Sequence, residues 1–369
     1  MSEYQYYEFR AVDRPLTDQE QAELRELSTR AEISAYHFSN VYHWGRFKGA
    51  PDEMVERYFD AHLYVTNWGV RQLMLRLPAR LFDAQQADPY LTGDCLSLRE
   101  TGDKVVLAFA TEEAWSDDTQ GEGWLTSLLP LRNELIAGDT RGLYLGWLAC
   151  VAHGQLSADD EEPPVPPGLR SLSAALVALT DFLLIPQELL EVAARASPAA
   201  DPRARADLET WVHTLPAPQK DALLLRLIDR TSPSLPPEML QHVQAAHGRD
   251  TSKAAAPRRM VGELLRAGAA LQQQRERLEQ ERQTAARERE LDALAARGSA
   301  AWEQVEQLFA TRRPTDHAAG VRLLVDLRDV ARRHGTEAEF IRRVSQLRER
   351  NARRAGLISR MDKEGLTAP

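Results

Sequence analysis

Three histidines, His37, His43 and His62, lie close to segments rich in β-formers, and a converging His trio is the simplest metal site this chain offers. Such a site needs compatible side-chain directions and outer partners that orient the rings. No His-Glu-x-x-His or Cys-x-x-Cys spacing supports it, so separate, partly buried histidines are expected and no metal site is assigned. A second cluster, Glu112, Glu113, Asp117, Asp118 and Glu122 around Trp115, carries enough carboxylates for acid–base or Mg²⁺ chemistry. It falls in a glycine-containing stretch without a basic or nucleophilic companion, and reads as a solvated acidic loop. No nucleophile elbow, phosphate-binding loop or dinucleotide fingerprint is present. A non-enzymatic protein without a cofactor is expected.

Two features point to binding instead. Val41, Trp44 and Gly45 recur 24 residues later as Val65, Trp68 and Gly69. Each Val-x-x-Trp-Gly run would end a strand with an indole and a permissive glycine. Trp44 and Trp68 are therefore either paired aromatic walls of a pocket or two core tryptophans. Near the other end, Arg342, Arg343, Arg348, Arg350, Arg353 and Arg354 crowd into two or three helical turns. That stripe suits an acidic protein surface or a phosphate backbone, or is a plain solvated face. Tyr4, Tyr6 and Tyr42 resemble the strand aromatics of an RNA-binding sheet, but no basic segment accompanies them.

The elements that must position these groups follow from period and punctuation. Tyr4 to Val12 reads as a strand, and Thr17 to Glu20 as a capping box opening a helix with Ala22, Leu24 and Leu27 on one side. Ile33 to Trp44 suggests a strand with Tyr36, Phe38, Tyr42 and Trp44 on one face. A short helix from Pro51 follows, then strands over Leu63 to Trp68 and Val70 to Leu77. A hairpin turns at Thr101 to Asp103. The order predicts an α+β N-terminal domain, a mixed or antiparallel sheet with helices on one face, in a ferredoxin-like arrangement with an added hairpin. An all-α helical region comes after it.

Three domains are expected. Residues 1–154 form the α+β domain with closing helices. Residues 155–168, acidic and proline-rich, read as a solvated, semi-stiff linker or a long exposed loop. A helical bundle spans 169–247, with helices at 203–215, 217–230 and 236–247 among its members. A second loop, 248–257, precedes a C-terminal part, 258–369. There one long charged helix runs to 297, with Val261, Leu264, Gly268, Leu271 and Leu278 as its seam and Arg275, Arg282 and Arg289 interrupting it. That seam fits a solvated helix with ion pairs, or a coiled-coil stalk. Later helices are marked by Trp302, Val305 and Phe309, closed by Pro314; by Val321 to Val330, ended at Gly335; and by a capping box at Thr336 to Glu339 leading to Phe340, Ile341, Val344 and Leu347.

Composition sorts the same way. Twenty of the 25 aromatic residues precede residue 155, and residues 1–154 carry a net charge of −10. Residues 258–369 carry +6, and Arg outnumbers Lys 41 to 5 through the whole chain. The acidic front repels phosphate. Two cysteines build neither a disulfide framework nor a zinc site, the N-terminus lacks a signal pattern, and Leu172 to Ile185 is too short to span a bilayer. A soluble cytoplasmic protein is expected.

The segment Tyr4 to Phe9 (YQYYEF) with Asp13 to Thr17 (DRPLT) and the two Trp-Gly pairs resembles an uncharacterised bacterial protein family over about the first 110 residues. Leu323 to Arg328 and Glu339 to Arg343 are similar to the helical tails of bacterial SWIM zinc-finger proteins, without a Cys/His motif that would transfer zinc. In layout the chain resembles accessory proteins of bacterial defence loci, among them companions cut by a CRISPR-associated caspase-like protease. The expected function is an interaction or adaptor protein. It would dock a protein partner through Arg342, Arg343, Arg350, Arg353 and Arg354, and Trp44 and Trp68 are the candidate pocket residues. The alternative is an accessory factor of a defence or nucleic-acid-processing system, regulated by cleavage at 155–168 or 248–257.

Overall fold

A computed structural model describes residues 3–45, 47–112, 120–199, 211–228, 239, 258–311 and 313–367. All but one residue of the predicted helix over 236–247, the loop at 248–257 and most of the helix at 203–215 lie outside these residues, as do Glu113, Trp115, Asp117 and Asp118.

Seven strands form one sheet: β1 (Gln5–Arg10), β2 (Glu32–Ile33), β3 (His37–Tyr42), β4 (Ala61–Thr66), β5 (Val70–Pro78), β6 (Leu96–Thr101) and β7 (Lys104–Glu112). Their order is β2-β3-β1-β4-β5-β7-β6, and every neighbouring pair is antiparallel. The expected class, an α+β domain followed by helices, is what the chain adopts. The ferredoxin-like arrangement is also present: β1-α1-β2-β3-α2-β4 lie in the spatial order β4-β1-β3-β2, antiparallel throughout, and β5 with the β6–β7 hairpin extends the sheet beyond β4. Gly102, at φ +61°, makes the β6–β7 turn foreseen at Thr101 to Asp103.

Helices were expected on one face, and they cover both. Period-2 alternation explains why. Tyr7, Phe9, Phe38, Met74 and Val106 point to one side, where Leu24 of α1 (Asp18–Leu27) and Met54 and Val55 of α2 (Pro51–Arg57) cover them. The Thr17 capping box that starts α1 is formed as predicted. Leu63, Leu73, Leu75, Leu107 and Phe109 point to the other side. A second helical layer packs there: α3 (Trp124–Leu128), α4 (Leu131–Ile136), α5 (Arg141–Ala152), α6 (Ala174–Phe182) and α7 (Gln187–Arg195). A further helix, α8, spans Ala217–Ile228.

The long helix α9 (Val261–Ala296) begins in this core, where Val261 and Leu264 are buried. The acidic proline-rich stretch at 155–168 is not a solvated linker. Glu162, Pro163 and Pro166 are buried. Glu162 accepts Arg259 Nε at 2.7 Å and Nη2 at 2.7 Å, and Tyr144 Oη donates to it at 2.6 Å. Backbone bonds Glu162 N–Arg259 O, 2.8 Å, and Val261 N–Asp160 O, 2.9 Å, lace the two segments together.

The chain divides into two compact units, Met1–Gln272 and Gln273–Pro369, rather than at residues 154 and 169. The second unit holds the rest of α9 with α10 (Ser299–Ala310), α11 (Pro314–His334), α12 (Glu337–Arg350) and α13 (Ala355–Lys363). Val305, Phe309, Leu324, Val344, Leu347 and Met361 are the centre of its core. Pro314 opens α11 rather than closing α10, since proline tolerates the first helical turn. Gly320 lets α11 approach Phe309, where a Cβ would sit 2.6 Å from the ring. Gly335 ends α11 in the left-handed conformation as foreseen, but Thr336 makes no side-chain cap and Ile341 is exposed.

One buried charge cluster ties the first unit together. Asp60, with no exposed surface, accepts Val12 N at 2.6 Å, Asp13 N at 2.9 Å and Arg76 Nη2 at 2.6 Å. Arg76 Nη1 also donates to Val55 O and Glu56 O at the end of α2. Arg132 of α4, itself buried, donates to Arg76 O at 2.8 Å and pairs with Asp13 at 2.5 Å. Burial opposes ionisation of Asp60, but Arg76, Arg132 and the two backbone N–H groups outweigh it and lower its pKa. Asp60→Asn should therefore destabilise the first unit by about 3–5 kcal/mol, the cost of leaving a buried guanidinium without its charge partner. Urea denaturation followed through the near-UV signal measures it, and a loss under about 1 kcal/mol would contradict this role for Asp60.

Candidate functional site

The two Trp-Gly runs are equivalent places in the sheet. β1 lies between β3 and β4, and Gln5 is the register partner of both Tyr42 and Thr66. Each tryptophan stands two residues beyond its partner of Gln5, so the two turns flank the start of β1. Gly45 at φ +84° and Gly69 at φ +102° let the chain leave each strand in the left-handed region. Between the turns lies a cavity of about 380 Å³, lined by Tyr7, Phe47, Tyr64 and Trp68 with Gln5 and Gly45. Trp68 is thus an aromatic wall, and it is half-buried. Trp44 is neither a wall nor a core residue: it is 71% exposed. The reason is position, because β3 has only the two-residue β2 outside it.

On the opposite face β1 and β3 form the floor of an open groove of about 590 Å³. Three cross-strand pairs make it: Tyr6 with Val41, Glu8 with Ser39, and Arg10 with His37. Arg30 and Glu32 stand at one side, and Glu122 and Thr126 at the start of α3 at the other. Glu8 is the centre. It is buried, accepts Tyr6 Oη at 3.0 Å and Arg10 Nε at 3.0 Å, and lies 3.5 Å from His37 Nε2. Burial works against its charge, but His37, Arg10 and Tyr6 prevail and its pKa is lowered. An ionised carboxylate so surrounded orients its neighbours and presents a mixed-charge floor to a bound polar chain. Alternating Glu8 and Arg10 in a strand that also carries Tyr6, Tyr7 and Phe9 is the signal that marks this floor in the sequence.

The histidines do not converge. His62 faces the side opposite His37, stacked on Phe9 with ring centroids 4.0 Å apart. Its Nδ1 lies 3.0 Å from Glu8 O, and its Nε2 has no partner among the described residues. His43 is exposed, 6.4 Å from the Trp44 ring. No group of three or more possible metal ligands occurs among the described residues. Of the acidic cluster, Glu112 ends β7 and Glu122 borders the groove. The strand tyrosines are not an open platform. Tyr6 is buried against Glu8, Tyr4 Oη accepts Gly121 N at 3.1 Å, and Tyr42, on the other face of the sheet from Tyr6, accepts Asn40 Nδ2 at its Oη at 3.0 Å.

The arginine stripe is largely engaged within its own unit. Arg343 pairs with Glu339 at 2.9 Å and lies over the Trp302 ring, 5.2 Å from its centroid. Arg350 pairs with Glu306 at 3.0 Å, Arg348 with Asp362 at 2.7 Å, and Arg354 donates to Phe309 O. Arg342 and Arg353 are exposed and form no ion pair among the described residues.

No helix among the described residues is long and apolar enough to cross a membrane. No family model, curated protein or solved structure matches the chain.

Burial pushes the His62 pKa down to about 3, against the weaker opposing pull of Glu8 O. Native His62 stays neutral while the unfolded chain takes up a proton below its ordinary pKa of 6.5. Its contribution to stability is therefore complete above pH 6.5 and declines as the pH falls toward 3. In His62→Leu, the loss of stability from about pH 6.5 to about pH 4.5 should be visibly shallower, ahead of the carboxylate limb. Denaturation midpoints measured across that range check it, and parallel profiles for both proteins would contradict it.

Proposed function

We propose that this protein is a non-enzymatic interaction protein that takes an extended segment of a protein partner along β3. The observation that carries the reading is a set of exposed large side chains on β3 and at its two ends. Tyr36 is 52% exposed, Val41 37% and Trp44 71%. Beside them β2 pairs with only Phe38 and Ser39, so the edge from Asn40 to Tyr42 has no neighbouring strand among the described residues. An open edge supplies backbone donors and acceptors, and aromatic anchors supply area at low entropy cost. The groove beside it offers Glu8, Arg10, His37 and Ser39 for alternate side chains of the added strand. The second unit contributes Arg342 and Arg353 as charges for an acidic surface, a smaller role than the whole stripe would have.

The partner that co-purifies with the full chain provides the test. Combined Tyr36→Ser, Val41→Lys and Trp44→Ser should weaken its binding at least about tenfold, as removal of central aromatic anchors does. Charge reversal at Arg342 and Arg353 should change it by no more than about threefold. Hydrogen exchange should slow across residues 36–44 in the complex. A triple variant that binds normally while the arginine variant fails would move the interface to the helical unit. Capture that depends on nucleic acid would overturn the protein-partner reading.

A further inference from the structure

We propose that the cavity between the two Trp-Gly turns is a binding site for a substituted ammonium group, such as a choline-like cation or a methylated lysine side chain. The site uses residues other than that exposed set on and beside β3 and stands independently of it.

The argument begins with the rings. Tyr7 lies between Tyr64, 4.5 Å away at 33°, and Phe47, 5.0 Å away at 44°. These three make a continuous aromatic wall, and Trp68 also lines the cavity. Ring faces carry negative potential and attract a weakly hydrated cation, most strongly where water is partly excluded.

The polar atoms of the wall point the same way. Tyr7 Oη and Tyr64 Oη lie 3.1 and 3.4 Å from Gln5 Oε1 as donors to it, and Gln5 Nε2 donates to Gly45 O at 3.0 Å. The two tyrosine hydroxyls and the Gln5 amide are thus committed to one another and to Gly45 O rather than to an incoming anion. Among the described lining residues the one formal charge is the Glu3 carboxylate. The arrangement is also built in advance. A Cβ at Gly49 would sit 2.6 Å from the Phe47 ring and 2.9 Å from Met54 Sδ, so glycine there is what allows Phe47 its place. A volume of about 380 Å³ accommodates a trimethylammonium head and part of its stem.

The alternative is a plain apolar cleft, and a neutral ligand of the same shape separates the two. The full chain is labelled with 5-fluorotryptophan, and the ¹⁹F resonance of Trp68 is assigned from Trp68→Phe. Choline should shift that resonance saturably, and 3,3-dimethylbutan-1-ol, which replaces the cationic nitrogen by carbon, should bind at least about tenfold more weakly. Tyr64→Phe keeps the ring and should stay within about threefold of the parent, whereas Tyr64→Leu should lose about tenfold or more. Glu3→Gln, an exposed change that leaves the core untouched, should weaken binding about threefold and reduce its salt dependence. A peptide carrying trimethyllysine that binds more tightly than choline identifies the source as a protein side chain. Equal affinity identifies a free small cation. Equal binding of the neutral alcohol, or no shift of the Trp68 resonance with choline, overturns the proposal.

Discussion

The Asp60 carboxylate is the constraint on which the first unit is built. It stands where β1 ends, β4 begins and α2 stops, and it accepts hydrogen bonds from the backbone of Val12 and Asp13 and from Arg76. Arg76 reaches the last carbonyls of α2, and Arg132 brings in α4 from the other face of the sheet. A buried carboxylate of this kind is stable only with every lone pair satisfied, so the four segments are held in one geometry. The cluster occupies the end of β1 opposite the Trp-Gly turns. One end of the central strand is therefore clamped by charge, and the other is left to frame a cavity.

The unequal covering of the sheet follows from the same strand alternation. On the face of the second helical layer, β4, β5 and β7 present leucine, valine and phenylalanine, and α3–α7 bury them. β1 and β3 present Glu8, Arg10, His37 and Ser39 on that face, which no apolar helix would cover at a favourable free energy. The groove is the uncovered half. Its polar floor survives partial burial because Glu8 holds Tyr6 and Arg10 around it.

Ionic pairing also explains where the composition misleads. The acidic run at 155–168 has the content of a linker, yet Glu162 receives Arg259 and Tyr144 and becomes part of the core. The arginines near the C-terminus have the content of a docking stripe, yet Arg343, Arg348, Arg350 and Arg354 meet Glu339, Asp362, Glu306 and a helix-end carbonyl. In both places the partner is distant in sequence or hidden by an intervening turn, so local charge overstates what remains for a ligand.

The sequence by itself determined the elements: the alternation of β1, the Thr17 capping box, the Gly102 turn, the Gly335 helix stop and the helical C-terminal region. These depend on contacts within a few residues, which a linear pattern contains. It also marked the Val-x-x-Trp-Gly echo, but not that one tryptophan would line a cavity and its counterpart face solvent. Only the tertiary structure decided that, because it placed β4 inside the sheet and β3 beside a two-residue edge. The Asp60–Arg76–Arg132 cluster, the pairing of Glu8 with His37 and the seating of Glu162 on Arg259 likewise join residues from 16 to 97 positions apart. Burial and charge pairing at that range are properties of the packed chain, and no local pattern encodes them.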